Sequence, residues 1–491
     1  MNRGKNLLRL VIALVVLYLL LSIPLAGTHQ TSGAGRKSFA WNQDEVWKAL
    51  EAKFQQTRSS GCPTADSESG KRLLESNSQL VAMATRQYGP IDPLFDRVEA
   101  NLFQLGPLMA ACPERIREYA GLTTSLRAAV KMQSRQWDVR EKAVRDRLYR
   151  LLYGGRTALE EVMLQTKEDA VPAVLIGTDE PSQTPAFQHA GITFHSGDVL
   201  VSRGGAPTSA LIARGNDYPG NFSHIALLYV DEKTHTPYVI EAHIERGVVI
   251  ASLDEYLKDK KLRLMALRVR ADHPLLRKDP LLPHRAAKMA YDEVKARHIP
   301  YDFAMDFSKS SEKFCSEVAS HVYSSQGLTL WNIVTTMSSQ GIVNWLADFG
   351  VRNFVTQAPA DLEYDPQLVV VAEWRDRTAL WQAHVDDAIT DAILEAAERG
   401  ERLSYDWYLL APARLAKAYS MVLNRLGKEG PVPEGMDAGT ALKSMSLDKL
   451  HKGIKQKLLS KADAFEKSKG YRPPFWELVK LAREAEGGGK K

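Results

Sequence analysis

The sequence predicts an α+β domain in the middle of the chain, with a helical region on each side. Three observations carry that expectation. Short β-rich runs bounded by turn clusters begin only after Gly191. Strands come first and helices after them, the order of an α+β unit rather than of alternating β–α units. Before and beyond this stretch, apolar residues recur at helical spacing.

Composition sets the outer limits. The chain has 491 residues, 44% hydrophobic and 25% charged, which is ordinary globular composition. At about 100–200 residues per domain it has room for about three domains. Three of its five net positive charges come from Arg3, Lys5 and Arg9. The body is therefore near neutral and lacks the concentrated basic face of a nucleic-acid binder. Three cysteines exclude a disulfide-rich scaffold and a multi-cysteine zinc framework.

Residues 1–27 read as a signal peptide or signal-anchor helix. Leu7 to Ala26 is apolar except for Arg9 and comes after Arg3 and Lys5, the pattern of an export signal. From Leu10 the run is about long enough to cross a hydrocarbon core of about 30 Å. Charge asymmetry places the remainder of the chain outside the cytoplasm, on the periplasmic side of an inner membrane. Pro24, Ala26 and Gly27 offer a cleavage point, so an anchored and a cleaved form both stay open. Residues 28–40 are a polar linker.

Residues 41–175 read as helical. Asp44 is placed to cap a helix with Trp47, Leu50 and Phe54 on one face, and Asp92-Pro93 starts another. A long helix is expected from Thr123 to Tyr153, with Val130, Trp137, Val144 and Leu151 on one stripe and Gly154-Gly155 as its stop. Its Arg and Lys residues read as a solvated face. Cys62 and Cys112, each with proline as the next residue, are candidates for a disulfide in an oxidising compartment, which leaves Cys315 unpaired.

Within 190–375, strands are expected at 198–202, 224–230, 238–242, 247–251, 262–269 and 368–371, with helices at 283–297 and 311–325. Residues 328–358 are apolar, carrying Trp331, Ile333, Val334, Ile342, Trp345 and Phe349. They fit either core packing or the lining of an acyl pocket. Residues 376–486 are helical with a Pro/Gly break at 427–436, and 487–491 form a tail.

Three residues of the middle domain suggest chemistry. His224 opens an apolar strand, Glu241 ends the next, and Cys315 begins a helix. A thiol near its free pKa of about 8.5 is mostly protonated at neutral pH, and only the thiolate attacks a carbonyl well. A helix N-terminus favours the anion, an imidazole takes the proton and returns it, and a carboxylate orients the ring. His224, Glu241 and His243 can alternatively supply three metal ligands, with 241 and 243 on one strand face. No HExxH or comparable ligand motif supports that reading, and no phosphate-binding loop is present.

The order Ser196-Gly197-Asp198, Phe222-Ser223-His224, Tyr238 to Ala242, Pro300-Tyr301-Asp302-Phe303 and Phe314-Cys315-Ser316-Glu317 resembles a known family. It is similar to the circularly permuted, NlpC-type papain-like cysteine hydrolases of the YaeF/YiiX group, over about residues 190–375. Lecithin retinol acyltransferase-like enzymes share the histidine-before-cysteine order. The resemblance implies Cys315 as nucleophile, His224 as base and acid, Glu241 as the group orienting His224, and Tyr301 near the substrate. Glu317 is two residues from Cys315 and points off its helix face, so Glu241 is the better third member. Asp198 reads as shaping the strand entrance. The expected activity is amide cleavage through an acyl-enzyme without a cofactor, on a cell-wall peptide or related amide. The alternatives are lipid acyl hydrolysis or transfer, and a membrane-anchored scaffold with a degenerate hydrolase domain.

Overall fold

Strands whose two faces are both apolar must pair edge to edge and be covered on each side. The computed structural model describes residues 2–24, 35–167, 170–307, 309, 311–331 and 335–487, without the side chains of 2–5, 7 and 8. Its first helices are α1 (Asn2–Leu21), α2 (Asp44–Ser60), α3 (Cys62–Thr85), α4 (Pro93–Ala111), α5 (Ile116–Gln133), α6 (Lys142–Leu148) and α7 (Gly154–Gln165). Then come β1 (Val174–Ile176), β2 (Ala186–His189), β3 (Ile192–His195), β4 (Val199–Gly204), α8 (Pro207–Arg214), β5 (His224–Val230), β6 (Pro237–His243) and β7 (Gly247–Ser252). After them stand α9 (Leu253–Lys258), β8 (Lys261–Val269), α10 (Pro274–Lys278), α11 (Leu282–Ala296) and α12 (Cys315–Ser325). Next are β9 (Thr335–Thr336), α13 (Gln340–Asp348), β10 (Val355–Thr356), α14 (Asp361–Tyr364) and β11 (Leu368–Trp374). The chain closes with α15 (Arg377–Glu398), α16 (Leu410–Arg425), α17 (Ala438–Lys469) and α18 (Phe475–Gly487).

The main sheet has seven strands in the order β1-β11-β8-β4-β5-β6-β7, and every pair is antiparallel. Alternation along β5 divides its side chains between two cores. Ile225 and Leu227 join Val199, Val201, Val318 and Val322, the last two from α12. Ala226 and Leu228 face the other way, with Leu200, Val239 and Tyr256. Phe187 and Phe194 of the β2–β3 hairpin pack against that second core. The expected mixture of helices and antiparallel sheet is therefore present.

The N-terminal helices bury their apolar stripes directly against this architecture. Val98, Leu102, Leu126 and Leu159 belong to the same continuous core as Val199 and Leu227. Arg156 crosses into the later chain with both forks on Glu363, Nε to Oε1 at 2.7 Å and Nη2 to Oε2 at 3.0 Å. Arg127 Nη1 donates to Glu373 Oε2 at 2.8 Å.

Several local expectations need correction. The helix expected from Thr123 to Tyr153 is broken, because Trp137 turns to extended backbone (φ −86°, ψ 143°). This places its ring edge-on to Phe95 and lets its indole N–H donate to Tyr88 O at 2.8 Å. Gly154 and Gly155 do not stop a helix but open α7. A Cβ on Gly154 would lie 2.9 Å from the Trp41 ring, and one on Gly155 3.2 Å from Leu102, so both glycines serve close helix packing. Asp44 is the first residue of α2 rather than its cap, and stabilises that end through its charge. Asp92 does cap α4, accepting from Leu94 N at 2.9 Å. Helix α3 falls within the stretch expected to be helical without having been singled out there, and β1 is a strand begun inside that stretch.

The bases of the N-terminal helices are not all a solvated face. Arg127, Lys131 and Arg145 are buried. Lys131 Nζ donates to the carbonyl oxygens of Glu363 and Asp365 at 2.6 and 2.8 Å, and burial pushes its pKa down to about 8. Cys62 and Cys112 form a disulfide with Cα atoms 5.5 Å apart.

The start of the chain is helical in α1, and among the described residues no helix is long and apolar enough to cross a membrane. Ala26, Gly27, residues 28–34 of the expected linker and the tail from 488 lie outside the described residues.

Candidate active site

The register of the sheet explains why residues 224 and 241 meet. Ala226 on β5 pairs with Glu241 on β6, and His224 lies two residues from Ala226 on the same face. His224 Nε2 and Glu241 Oε2 are 2.7 Å apart. On the other side of the carboxylate, His243 Nε2 stands 2.9 Å from Oε1. Burial would raise the Glu241 pKa, but the hydrogen bonds and charges of these two rings hold it well below the usual carboxylate range.

Cys315 approaches from the helix side. It is the first residue of α12, whose N-terminal end Glu317 closes by accepting from Phe314 N at 3.0 Å. Cys315 is 5% exposed, with Sγ 3.9 Å from Ser223 O, the carbonyl just before His224. Since Nε2 of His224 is taken by Glu241, Nδ1 is the ring nitrogen left for the thiol. Burial lowers the His224 pKa, but hydrogen bonds to Cys315 and Glu241, with charge interactions from both, push it up to about 9. The three residues singled out in the sequence are thus brought together.

Tyr301 borders the same place. It bridges to Lys313 just ahead of α12, and its ring lies edge-on to Phe303 at 5.1 Å. Burial, and then the charges of Cys315, Asp302 and Glu245, hold its hydroxyl pKa well above the ordinary value. Glu317 is occupied with the helix cap, and burial pushes its pKa up to about 8. Asp198 is buried, accepts from His195 N at 2.8 Å and is gripped by Arg268 through both oxygens at 2.8 Å, so it shapes the strand entrance.

The alternative metal set does not converge. Among the described residues, the ligand atoms of His224, Glu241 and His243 do not form a group lying within 4.8 Å of one another. The two rings instead contact opposite oxygens of one carboxylate. Most of the described large apolar residues of 328–358 are buried in cores. Trp331 packs in the sheet's core, while Val343, Trp345, Phe349 and Phe354 pack with Ile389, Ile393 and Leu478 of α15 and α18. Ile333 and Val334 lie outside the described residues. A cavity of about 650 Å³, lined by Trp41, Trp47, Tyr153, Glu161 and Trp476 among others, contains none of Cys315, His224 and Glu241.

One part of the site's rim comes from a stretch that the sequence marked only as a helix break. In the loop between α16 and α17, Glu434 N and Gly435 N donate to Glu245 O and Ile244 O at 3.4 and 3.3 Å. Gly435 lies so close to Phe303 that a Cβ would stand 2.7 Å from its ring. The abundance of Pro and Gly at 427–436 was the available signal, and it marks a turn without naming what the turn touches.

Neither curated proteins nor solved structures give a match to this chain. A family model does match, over residues 183–372, the stretch that holds His224, Glu241, Tyr301 and Cys315. That segment is identified by it with the permuted papain-like amidase enzymes of the YaeF/YiiX, C92 family.

Proposed function

We propose that the chain is a thiol amidase in which Cys315 is the nucleophile, His224 the acid–base group and Glu241 the carboxylate that orients His224. What carries this reading is the 2.7 Å contact of His224 Nε2 with the Glu241 carboxylate, together with Cys315 Sγ lying 3.9 Å from Ser223 O, the carbonyl just before His224. In the reaction His224 takes the proton of the Cys315 thiol, a transfer that its raised pKa favours. The resulting Sγ anion attacks the amide carbonyl carbon. The oxyanion forms beside the first turn of α12, where backbone N–H groups and the helix dipole favour negative charge. His224 gives its proton to the leaving amine, and a water deprotonated by His224 then cleaves the thioester. The histidine-before-cysteine order agrees with a permuted chain.

Location narrows the substrate class. The basic, then apolar, N-terminus supports export and attachment at the cell envelope, outside the cytoplasm, where cell-wall peptides are the abundant amides. Lipid acyl transfer is the weaker reading, because the apolar residues available for an acyl pocket are used in core packing.

The test incubates the full chain with cell-wall fragments and with lipid extracts, and then applies mass spectrometry to the Cys315 peptide. An acyl adduct that carries a peptide and is absent in Cys315→Ala supports the proposal. A fatty-acyl adduct moves the assignment to lipid chemistry. Equal turnover by Cys315→Ala, or equally slow labelling of Cys315 by a thiol probe with and without His224→Ala, overturns the mechanism and leaves a scaffold.

A further inference from the structure

A soluble helix buries its large apolar side chains and exposes small or polar ones. Helix α16 instead leaves most of its large apolar side chains exposed. Its inward residues include Leu410, Ala411 and Ser420, all buried. Leu415, Tyr419, Val422 and Leu426, spaced as one helical stripe, are 61, 59, 55 and 67% exposed. Trp407, 56% exposed, lies just ahead of this helix.

Three further features point to what covers the stripe. The helix carries Arg414, Lys417 and Arg425 and no acidic residue, and Lys428 comes soon after it. Large apolar side chains flanked by bases and ended by Trp and Tyr are the pattern of a helix lying at a bilayer surface. The N-terminal end of α16 also meets the last turn of α1. Tyr18 Oη donates to Tyr408 O at 2.7 Å, and Arg414 Nη1 donates to Leu21 O at 2.8 Å. From Leu10 to Leu20 the apolar side chains of α1 are exposed all round, which suits lipid and no single protein face.

The geometry points to α16 as a second membrane contact, docking through Leu415, Tyr419, Val422 and Leu426 on an anionic phospholipid surface. This deepens the membrane reading above and rests on it. It also bears on the active site, because α16 is tied to the loop that forms part of its rim. Val432 N donates to Ser420 Oγ at 2.9 Å, and Lys417 Nζ donates to the carbonyl oxygens of Pro433 and Glu434 at 2.9 and 2.8 Å. The neighbouring Gly435 packs on Phe303, beside Tyr301. A bilayer under α16 thus lies one loop away from Cys315 and favours amide substrates presented at a membrane surface.

The test uses the full chain with vesicles of phosphatidylethanolamine and phosphatidylglycerol whose acyl chains are brominated, which quenches tryptophans at the membrane. Trp407 is the one exposed tryptophan among the described residues. Wild-type fluorescence should be quenched, with most of that quenching lost in Trp407→Phe. Leu415→Glu with Val422→Glu should remove the quenching of Trp407 while helix content and melting temperature stay unchanged. Flotation with vesicles but equal quenching in Trp407→Phe overturns the α16 contact and leaves the membrane reading standing. Failure of the wild-type chain to float removes both. Self-association in lipid-free buffer that the double variant abolishes assigns the stripe to a second copy of the chain and also overturns the proposal.

Discussion

Replacing Glu241 by Gln keeps the shape of the side chain and removes its charge. His224 stands at about 9 against an ordinary 6.5, a net stabilisation of its charged form by about 3 kcal/mol. That net figure already includes burial, the largest single influence, which favours the neutral ring. Glu241 supplies both a hydrogen bond and a charge against that penalty, and Cys315 supplies the rest. Without the carboxylate, the alkaline limb of kcat/KM should move down by about one unit or more. The imidazole also loses the partner that sets its tautomer and orientation, so kcat should fall by about 100-fold to 10,000-fold with little change in KM. A folded His224 that holds its proton above 6.5 contributes stability that is complete below about pH 6.5. The contribution fades as pH rises through about 9, and Glu241→Gln should flatten that part of the stability profile. The assay is the pH dependence of amide turnover on a soluble substrate, paired with denaturant unfolding across the same range. Wild-type activity with an unmoved alkaline limb would refute the reasoning, since a carboxylate 2.7 Å from Nε2 would then be irrelevant to the proton on His224.

Other perturbations test the framework around the site. Glu363→Ala removes two hydrogen bonds of the buried Arg156 guanidinium, which keeps Glu160 and Asn221, and should cost about 2–3 kcal/mol in denaturant unfolding; a loss under about 1 kcal/mol contradicts the buried pairing. The disulfide joins residues 50 positions apart, so Cys62→Ser with Cys112→Ser should lower stability by about 3–4 kcal/mol, read as a drop in melting temperature. Gly435→Val forces a side chain against the Phe303 ring and should cost about 1–3 kcal/mol while raising KM more than it lowers kcat. Unchanged KM there would show that the loop has no part in the substrate rim.

Some elements were legible because they obey local rules. The run from His224 to Val230 is apolar throughout with β-branched and aromatic members, and it forms β5 over those same residues. Asp92-Pro93 marks the start of α4 because a short acceptor and a preset φ suit a helix N-terminus wherever it falls. The stripe from Val130 to Leu151 misled for a related reason. A seven-residue recurrence satisfies helix geometry, but Trp137 is buried instead through a turn that places its ring on Phe95. The basic residues on that stretch looked solvated since their partners, Glu373 and the carbonyl groups near Glu363, lie more than two hundred residues away.

Chain order and side-chain chemistry determined by themselves that His224 precedes Cys315, that one heads a strand and the other a helix, and that Glu241 sits on a neighbouring strand. Periodicity and capping fix these points, and both are set over a few residues by backbone geometry. Only the tertiary structure decided that Glu241 lies between two histidine rings, that helices 44–165 share their core with the sheet, and that the 429–436 loop reaches Tyr301 and Phe303. Such contacts depend on which apolar faces cover one another and on which buried charges must then find partners. That selection is made by burial over the whole chain, and no short window of sequence contains it.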